Sequence, residues 1–313
     1  MVRSYSEKYN YAMVSNIQII KKYIVLTLDL KEAKMIKYFL FIVLLTVSWR
    51  ISAQEGSTNL LKQTEPFILG QIDKIKSKAL GEERTLNIYL PSGYNEKDTV
   101  RYPVIYLLDG SADEDFIHIV GLVQFESFEW VNHLPKSIVV GIANVDRKRD
   151  FTFPSSVQSE RTAYPTTGHS ARFIDFIADE LQPFIAEHYK CNRQRTIIGE
   201  SLGGLLATEI LLKKPNLFDK YIIVSPSLWW DNGSLLKSDV KQFSEKQIYI
   251  GVGKEGLTPS ESPHVMEVDA NLLADKINGK KFNDVTVFFD YLPDKDHGTI
   301  MHQAVMNAFR LMH

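Results

Sequence analysis

Five residues constrain this chain more than any other feature: Gly199-Glu200-Ser201-Leu202-Gly203, a G-x-S-x-G pattern. Its setting matters more than the pattern. The residues before it, 195–198 (RTII), read as a short buried strand, and residues 202–213 (LGGLLATEILLK) read as a helix. A strand that passes into a helix through so tight a turn leaves no room for Cβ atoms at the flanking positions, which makes glycine necessary there. The turn holds Ser201 under strain with its Oγ exposed. The helix N-terminus behind it offers free N–H groups and a positive dipole end to any negative charge that develops on a bound group.

The rest of the body agrees with a strand–helix alternation. Residues 67–79 and 85–90 flank Gly81 and read as an antiparallel pair, the second run alternating with period two. Residues 104–108 (VIYLL) and 138–142 (IVVGI) are continuous apolar runs, as a strand buried on both faces requires. Residues 170–189 place Phe173, Phe176, Ile177 and Leu181 at helical spacing. Residues 221–224, 248–252 and 285–291 read as three more strands, and 265–277 and 300–312 as helices. The prediction is an α/β fold: a mostly parallel central sheet with helices on both faces, and a site at the carboxyl ends of the strands.

Composition excludes several classes. With 44% hydrophobic and 24% charged residues, the chain is neither disordered nor a multi-pass membrane protein. Lys and Arg number 36 against 38 Asp and Glu, but unevenly: residues 1–53 hold 8 against 3, and residues 54–313 hold 28 against 35. An acidic body argues against a nucleic-acid partner, whose phosphates need Lys and Arg. The single cysteine, Cys191, excludes an intrachain disulfide framework and a Cys-rich zinc site.

The basic N-terminal segment has a targeting pattern. Lys34 and Lys37 precede an apolar run at 39–49, and Ile51-Ser52-Ala53 supplies a small residue before Gln54. Residues 35–53 therefore read as a signal peptide beginning at Met35, with residues 1–34 an upstream extension and residues 54–313 one domain without repeats or long linkers. A membrane anchor is the alternative, although a span needs roughly 20 apolar residues. The expectation is a secreted or periplasmic protein with no stable membrane association once the segment is removed.

An exposed serine needs a base to act as a nucleophile, and after an elbow of this kind the partners follow in the order acid, then histidine. His264, His297, His302 and His313 follow Ser201. His297 lies in the loop PDKDHG between the last strand and the last helix, at a carboxyl strand end, and is the candidate base. The acid should follow the strand IYIGVG, which points to Glu255 in GKEG. Asp231 after the preceding strand is the main rival, Asp269, Asp294 and Asp296 are weaker ones, and a Ser201–His297 dyad is also open. A second backbone N–H beside that of Leu202 should come from Asp109-Gly110-Ser111, with Ser111 as donor.

Three residues suit the substrate side. Trp229 and Trp230 follow the strand at 221–224, where their indoles either stack on an aromatic group or pack beneath the elbow. Arg149 either pairs with an anionic group or shapes its own loop. Residues 144–168 lack periodicity, as a loop roofing a pocket would.

Together these pieces resemble the Putative esterase family of α/β-hydrolases, which includes S-formylglutathione hydrolases, feruloyl esterases, mycolyltransferases and trilactone siderophore esterases. The matching segments are RTLNIYLPSGY (84–94), RYPVIYLLDG (101–110), RDFTF (149–153), the run from RTIIGESLGG to SPSLWWD (195–231) and DHG (296–298). GESLGG with SPSLWW is similar to the enterobactin-type subgroup. The resemblance implies the α/β-hydrolase fold, Ser201 as nucleophile, His297 as base, a small-molecule ester as partner and no metal or organic cofactor. The expected activity is ester hydrolysis through an acyl-enzyme, on siderophore trilactones or other aryl esters. An acyltransferase and a non-catalytic binding protein on the same scaffold are the alternatives.

Overall fold

The antiparallel pair forms where two polar-apolar alternations meet across Gly81: β1 (Gln71–Ser77) and β2 (Glu82–Tyr89) run in register from Gln71↔Ile88 to Ser77↔Glu82. The computed structural model describes residues 35–44 and 64–313. Beyond β2 follow β3 (Tyr102–Leu107), α1 (Phe116–Glu126), β4 (Ile138–Ile142), α2 (Arg147–Phe151) and α3 (Gln158–Ala163). Next come α4 (Ser170–Phe176), a π-helical segment (Ile177–Leu181), α5 (Gln182–His188), β5 (Cys191–Glu200) and α6 (Leu202–Lys213). The chain ends with β6 (Lys220–Val224), α7 (Trp230–Lys237), β7 (Ser244–Gly253), α8 (Met266–Asn278), β8 (Asn283–Leu292) and α9 (Ile300–Leu311).

The eight strands form one sheet in the order β1-β2-β4-β3-β5-β6-β7-β8. β2 pairs antiparallel with β1 and β4, and every other neighbouring pair is parallel. This is the α/β-hydrolase sheet. Alternation along β3 shows why its run is unbroken in hydrophobicity. Val104 and Tyr106 join a core with α4, α5, α6 and α8 on one face, while Ile105 and Leu107 join a core with α1 and α9 on the other.

Three features differ from the sequence expectation. Residues 116–126 form α1, although their dense apolar run shows no clean helical period. Residues 144–168 carry α2 and α3, helices of 5 and 6 residues, too short to display a 3.6-residue period. The helical run expected at 170–189 is interrupted by the π segment.

The chain divides into two compact units, residues 1–66 and 67–313. In the first, residues 35–44 are helical with exposed apolar side chains. The remainder of the signal-peptide reading, and the extension reading of 1–34, lie outside the described residues. Among the described residues no helix is long and apolar enough to cross a membrane.

Candidate active site

The elbow is built as its glycines require. Ser201 sits at φ 58°, ψ −116°, a strained conformation for a residue with a side chain. Three backbone hydrogen bonds hold it there: Ser201 N–H donates to Val224 O at 3.0 Å, and its carbonyl accepts from Leu205 at 2.9 Å and Ser227 at 3.0 Å. A Cβ at Gly199 would stand 2.5 Å from the Gly203 carbonyl oxygen, so only glycine fits before the serine.

His297, between β8 and α9, directs Nδ1 at Glu255 Oε2, 2.5 Å away. The His297 side chain is 48% exposed and that of Glu255 only 3%, so the carboxylate is hidden behind the imidazole. The other carboxylate oxygen accepts hydrogen bonds from Ser225 Oγ and from Gly253 N–H at 3.3 Å. Burial by itself would raise the Glu255 carboxyl, but the hydrogen bonds from His297 and Ser225 outweigh it and hold it below the usual carboxylate range. The same contact raises His297 above the ordinary imidazole value, against the opposing effect of burial.

Ser225 and Ser227 are functional candidates that sequence reasoning missed. The turn after β6 gives Ser225 a positive φ of 39°, buries it fully and places it on Glu255. Two residues on, Ser227 Oγ lies 3.3 Å from Ser201 Oγ. That is the side-chain hydrogen bond Ser201 makes among the described residues, and the Nε2 of His297 makes none. Active-site hydrogen bonds are commonly loose before substrate binds. The serines lie inside the SPSLWW run, but nothing local in that run distinguishes a positioning hydroxyl from a turn former.

The loop after β3 is pinned across the site. Gly110 N–H donates to Ile142 O at 3.1 Å, and Asn87 Nδ2 donates to Gly110 O at 2.7 Å. A Cβ on Gly110 would meet Gly141 Cα at 2.4 Å. Ser111 N–H makes only a long contact, 3.4 Å, to Glu114 Oε2. Leu202 N–H belongs to the first turn of α6, where no intrahelical acceptor exists.

Arg149 and the tryptophans are held elsewhere. The Arg149 guanidinium is forked onto Glu82 and Asp150, with contacts of 2.6 to 3.2 Å, which leaves it shaping the loop. Trp230 is buried and donates Nε1–H to Phe153 O at 2.8 Å, and Trp229 is buried in the same core. Asp231 accepts from Ser156 N–H and Oγ–H, each at 2.6 Å, and does not reach His297. It ties the 144–168 segment to α7 instead.

Arg147, two residues before Arg149, is the arginine that reaches the elbow. Its Nε and Nη2 grip the Asp109 carboxylate at 2.6 and 2.9 Å, and Nη2 also donates to Glu200 O at 3.2 Å. Glu200 Oε1 is buried without a hydrogen-bond partner. Burial raises the Glu200 carboxyl to about 7, with Asp115, Asp109 and Glu255 adding repulsion and His297 opposing them. No sequence rule marks the second residue of G-x-S-x-G as a titrating group.

A serine at a strained strand–helix turn at the carboxyl end of a mostly parallel sheet, with a histidine–carboxylate pair after the last strands, is the arrangement of the class of serine hydrolases on an α/β-hydrolase sheet. Within that class, the chain belongs to the family described as Putative esterase, which it matches over residues 77–277. It is 32% identical over 169 residues to the ferri-bacillibactin esterase BesA of Bacillus subtilis, a match covering 50% of this chain and 58% of that protein. The chain thus spans less than two thirds of that relative's length. Among solved structures it is similar to an IroE-like serine hydrolase from Shewanella oneidensis, with TM-score 0.68 and 32% identity over 78% of this chain and 79% of that one. It is also similar to the BES protein of Bacillus cereus, with TM-score 0.66 and 27% identity over 81% and 98% of the two chains.

Proposed function

We propose that this chain is a serine carboxylic-ester hydrolase acting through an acyl-enzyme on Ser201. The observation that carries the reading is the His297–Glu255 contact of 2.5 Å, joined through Ser225 on Glu255 to the turn after β6 whose Val224 and Ser227 hold Ser201 at positive φ. His297 Nε2 takes the Ser201 proton as Oγ attacks the ester carbonyl, and Glu255 stabilises the imidazolium that forms. The N–H groups of Leu202 and Ser111 receive the oxyanion, Ser111 giving up its long contact to Glu114. His297 then protonates the leaving alkoxide. In the second half it deprotonates a water that attacks the acyl-enzyme, and it returns the proton to Ser201.

The substrate class we infer is siderophore trilactones or related aryl esters. Family membership and the likeness to a protein named as a ferri-bacillibactin esterase support it. A panel of enterobactin, feruloyl sugars, acetyl-xylan and p-nitrophenyl butyrate, with and without a serine-directed organophosphate, tests both levels. Organophosphate-sensitive turnover of any ester supports the hydrolase reading, and preference for the trilactone supports the substrate. No turnover of any ester overturns both. We further infer export, from the basic, apolar and small-residue succession at 34–53. N-terminal sequencing of protein recovered outside the cytoplasm should begin near Gln54. Intact residues 1–53 on a cytosolic protein would overturn that reading.

A further inference from the structure

At the opposite end of the sheet from Ser201, a cleft of about 620 Å³ opens beside the amino ends of β3 and β5. Its wall is apolar on the side of Val104, Tyr106, Ala178, Pro183 and Ala186, and Cys191 lies in it. Arg101, Arg193 and Arg195 also line it, and no carboxylate does. Among the described residues none of these three arginines makes an ion pair. Arg195 Nη1 donates to Gln182 Oε1, and Arg101 Nη1 makes a long contact of 3.4 Å to the Cys191 carbonyl. In a body whose residues 54–313 carry 35 acids against 28 bases, three unpaired arginines on one cleft need a reason.

Tyr106 supplies a second, independent observation. It is only 2% exposed, its ring packs edge-on against Phe218, and it lines the cleft. Its hydroxyl makes no hydrogen bond among the described residues. Its oxygen is not closed off, so the hydroxyl keeps access to the cleft and is free to donate to a group bound there. The wall beside it includes Ala178, in the π-helical segment Ile177–Leu181, an irregularity that recurs at functional sites.

We propose that this cleft is a binding site for a small organic anion: a carboxylate or phosphate head held by Arg101, Arg193 and Arg195 with the Tyr106 hydroxyl donating to it, on an apolar body lying against Val104, Pro183 and Ala186. Arginine forks are suited to both head groups. The site is separate from the elbow. Arg195 and Ser201 are six residues apart along β5, about 20 Å at the rise of a strand. The proposal therefore stands whether or not the hydrolase reading does.

Cys191 is the sole cysteine, so its alkylation reports on this cleft alone. The full chain is treated with iodoacetamide, a neutral reagent, in the presence of benzoate, phenyl phosphate, inorganic phosphate or benzamide at constant ionic strength. Benzoate or phenyl phosphate should slow alkylation saturably, at least threefold, and the stronger of the two identifies the head group. Arg193→Ala and Arg101→Ala should each weaken that protection about tenfold, the loss of one charged hydrogen-bonding partner. Hydrolysis of p-nitrophenyl butyrate should be unchanged in both variants, which separates this cleft from the elbow. Equal protection by benzamide would overturn the proposal, since an apolar cleft alone would then suffice. So would protection by none of the probes, or protection unaltered in the arginine variants.

Discussion

Among the described residues four histidines meet a carboxylate, His118, His133, His264 and His297, and the last two invite comparison because both use Nδ1 in loops that follow β7 or β8. His297 Nδ1 meets Glu255 Oε2 at 2.5 Å, and His264 Nδ1 meets Asp269 Oδ2 at 2.8 Å. Their surroundings differ. Glu255 receives further hydrogen bonds from Ser225 and Gly253, and these hold its carboxyl low despite burial. Asp269 has only His264, and burial wins, raising its carboxyl above the ordinary value. His297 is half exposed in the loop after β8, at the carboxyl end of the sheet. The His264 side chain is 15% exposed and its ring packs on Gly233, where a Cβ would stand 2.7 Å away. A histidine–carboxylate contact is therefore not a signature of chemistry. The two pairs differ in the number of donors on the carboxylate and in the free face of the imidazole, and in the proposed function only the His297 pair moves protons.

The largest expected effect tests whether the His297 pair acts through the elbow at all. Ser201→Ala should lower hydrolysis about 10⁴-fold or more with the fold intact by circular dichroism. An unchanged rate would detach the His297 pair from catalysis. Glu255→Gln should lose about 10²–10⁴-fold. Because Glu255 raises the His297 pKa, and the base must be neutral, the acid limb of kcat/KM should move to lower pH in this variant. An acid limb that stays in place would assign the orienting role elsewhere.

Ser225→Ala should lose about tenfold, the removal of one donor to a charged group, while the acid limb stays, since Glu255 still faces His297. His264→Ala sharpens the contrast from the other side. Hydrolysis should remain within about threefold, while stability in urea falls by about 1–3 kcal/mol, because Asp269 is left buried without its partner. Catalytic loss with unchanged stability would erase the distinction between the pairs.

The last effect concerns Glu200, which neighbours only the His297 pair. Burial lifts its folded pKa to about 7, above the ordinary glutamate value of 4.5, so it opposes folding progressively as pH rises from 4.5 to 7 and fully above that. Glu200→Gln should leave Tm unchanged near pH 4 and raise it by roughly 5–10 °C at pH 8. A Tm difference that is the same at both pH values would mean that the side chain is ordinary and solvated.

Much of this was legible in one dimension. Period-two and unbroken apolar runs fixed most of the strands, because burial on one face or two leaves a direct imprint on hydrophobicity. The tight passage from β5 to α6 required glycine at Gly199, and the Cβ that would meet the Gly203 carbonyl is the physical reason. Chain order drew attention to His297 and Glu255 because parallel strands deliver successive loops to one end of the sheet. Short helices such as α2 left no period to read, so residues 144–168 looked like an open loop.

What only the tertiary structure decided is which polar atoms meet. Arg147 rather than its neighbour Arg149 reaches the elbow because Asp109 and Glu200 stand there, while Glu82 and Asp150 hold the other guanidinium. Ser225 touches Glu255 and Ser227 touches Ser201 through a turn that forms only when β6 lies between β5 and β7. Arg101 and Arg195 share a cleft although 94 residues separate them, because β3 and β5 are neighbours in the sheet. Hydrophobic periodicity is a property of the local chain and survives in the sequence. Hydrogen bonds and charge pairs between distant loops depend on distances that exist only after the sheet has brought those loops together.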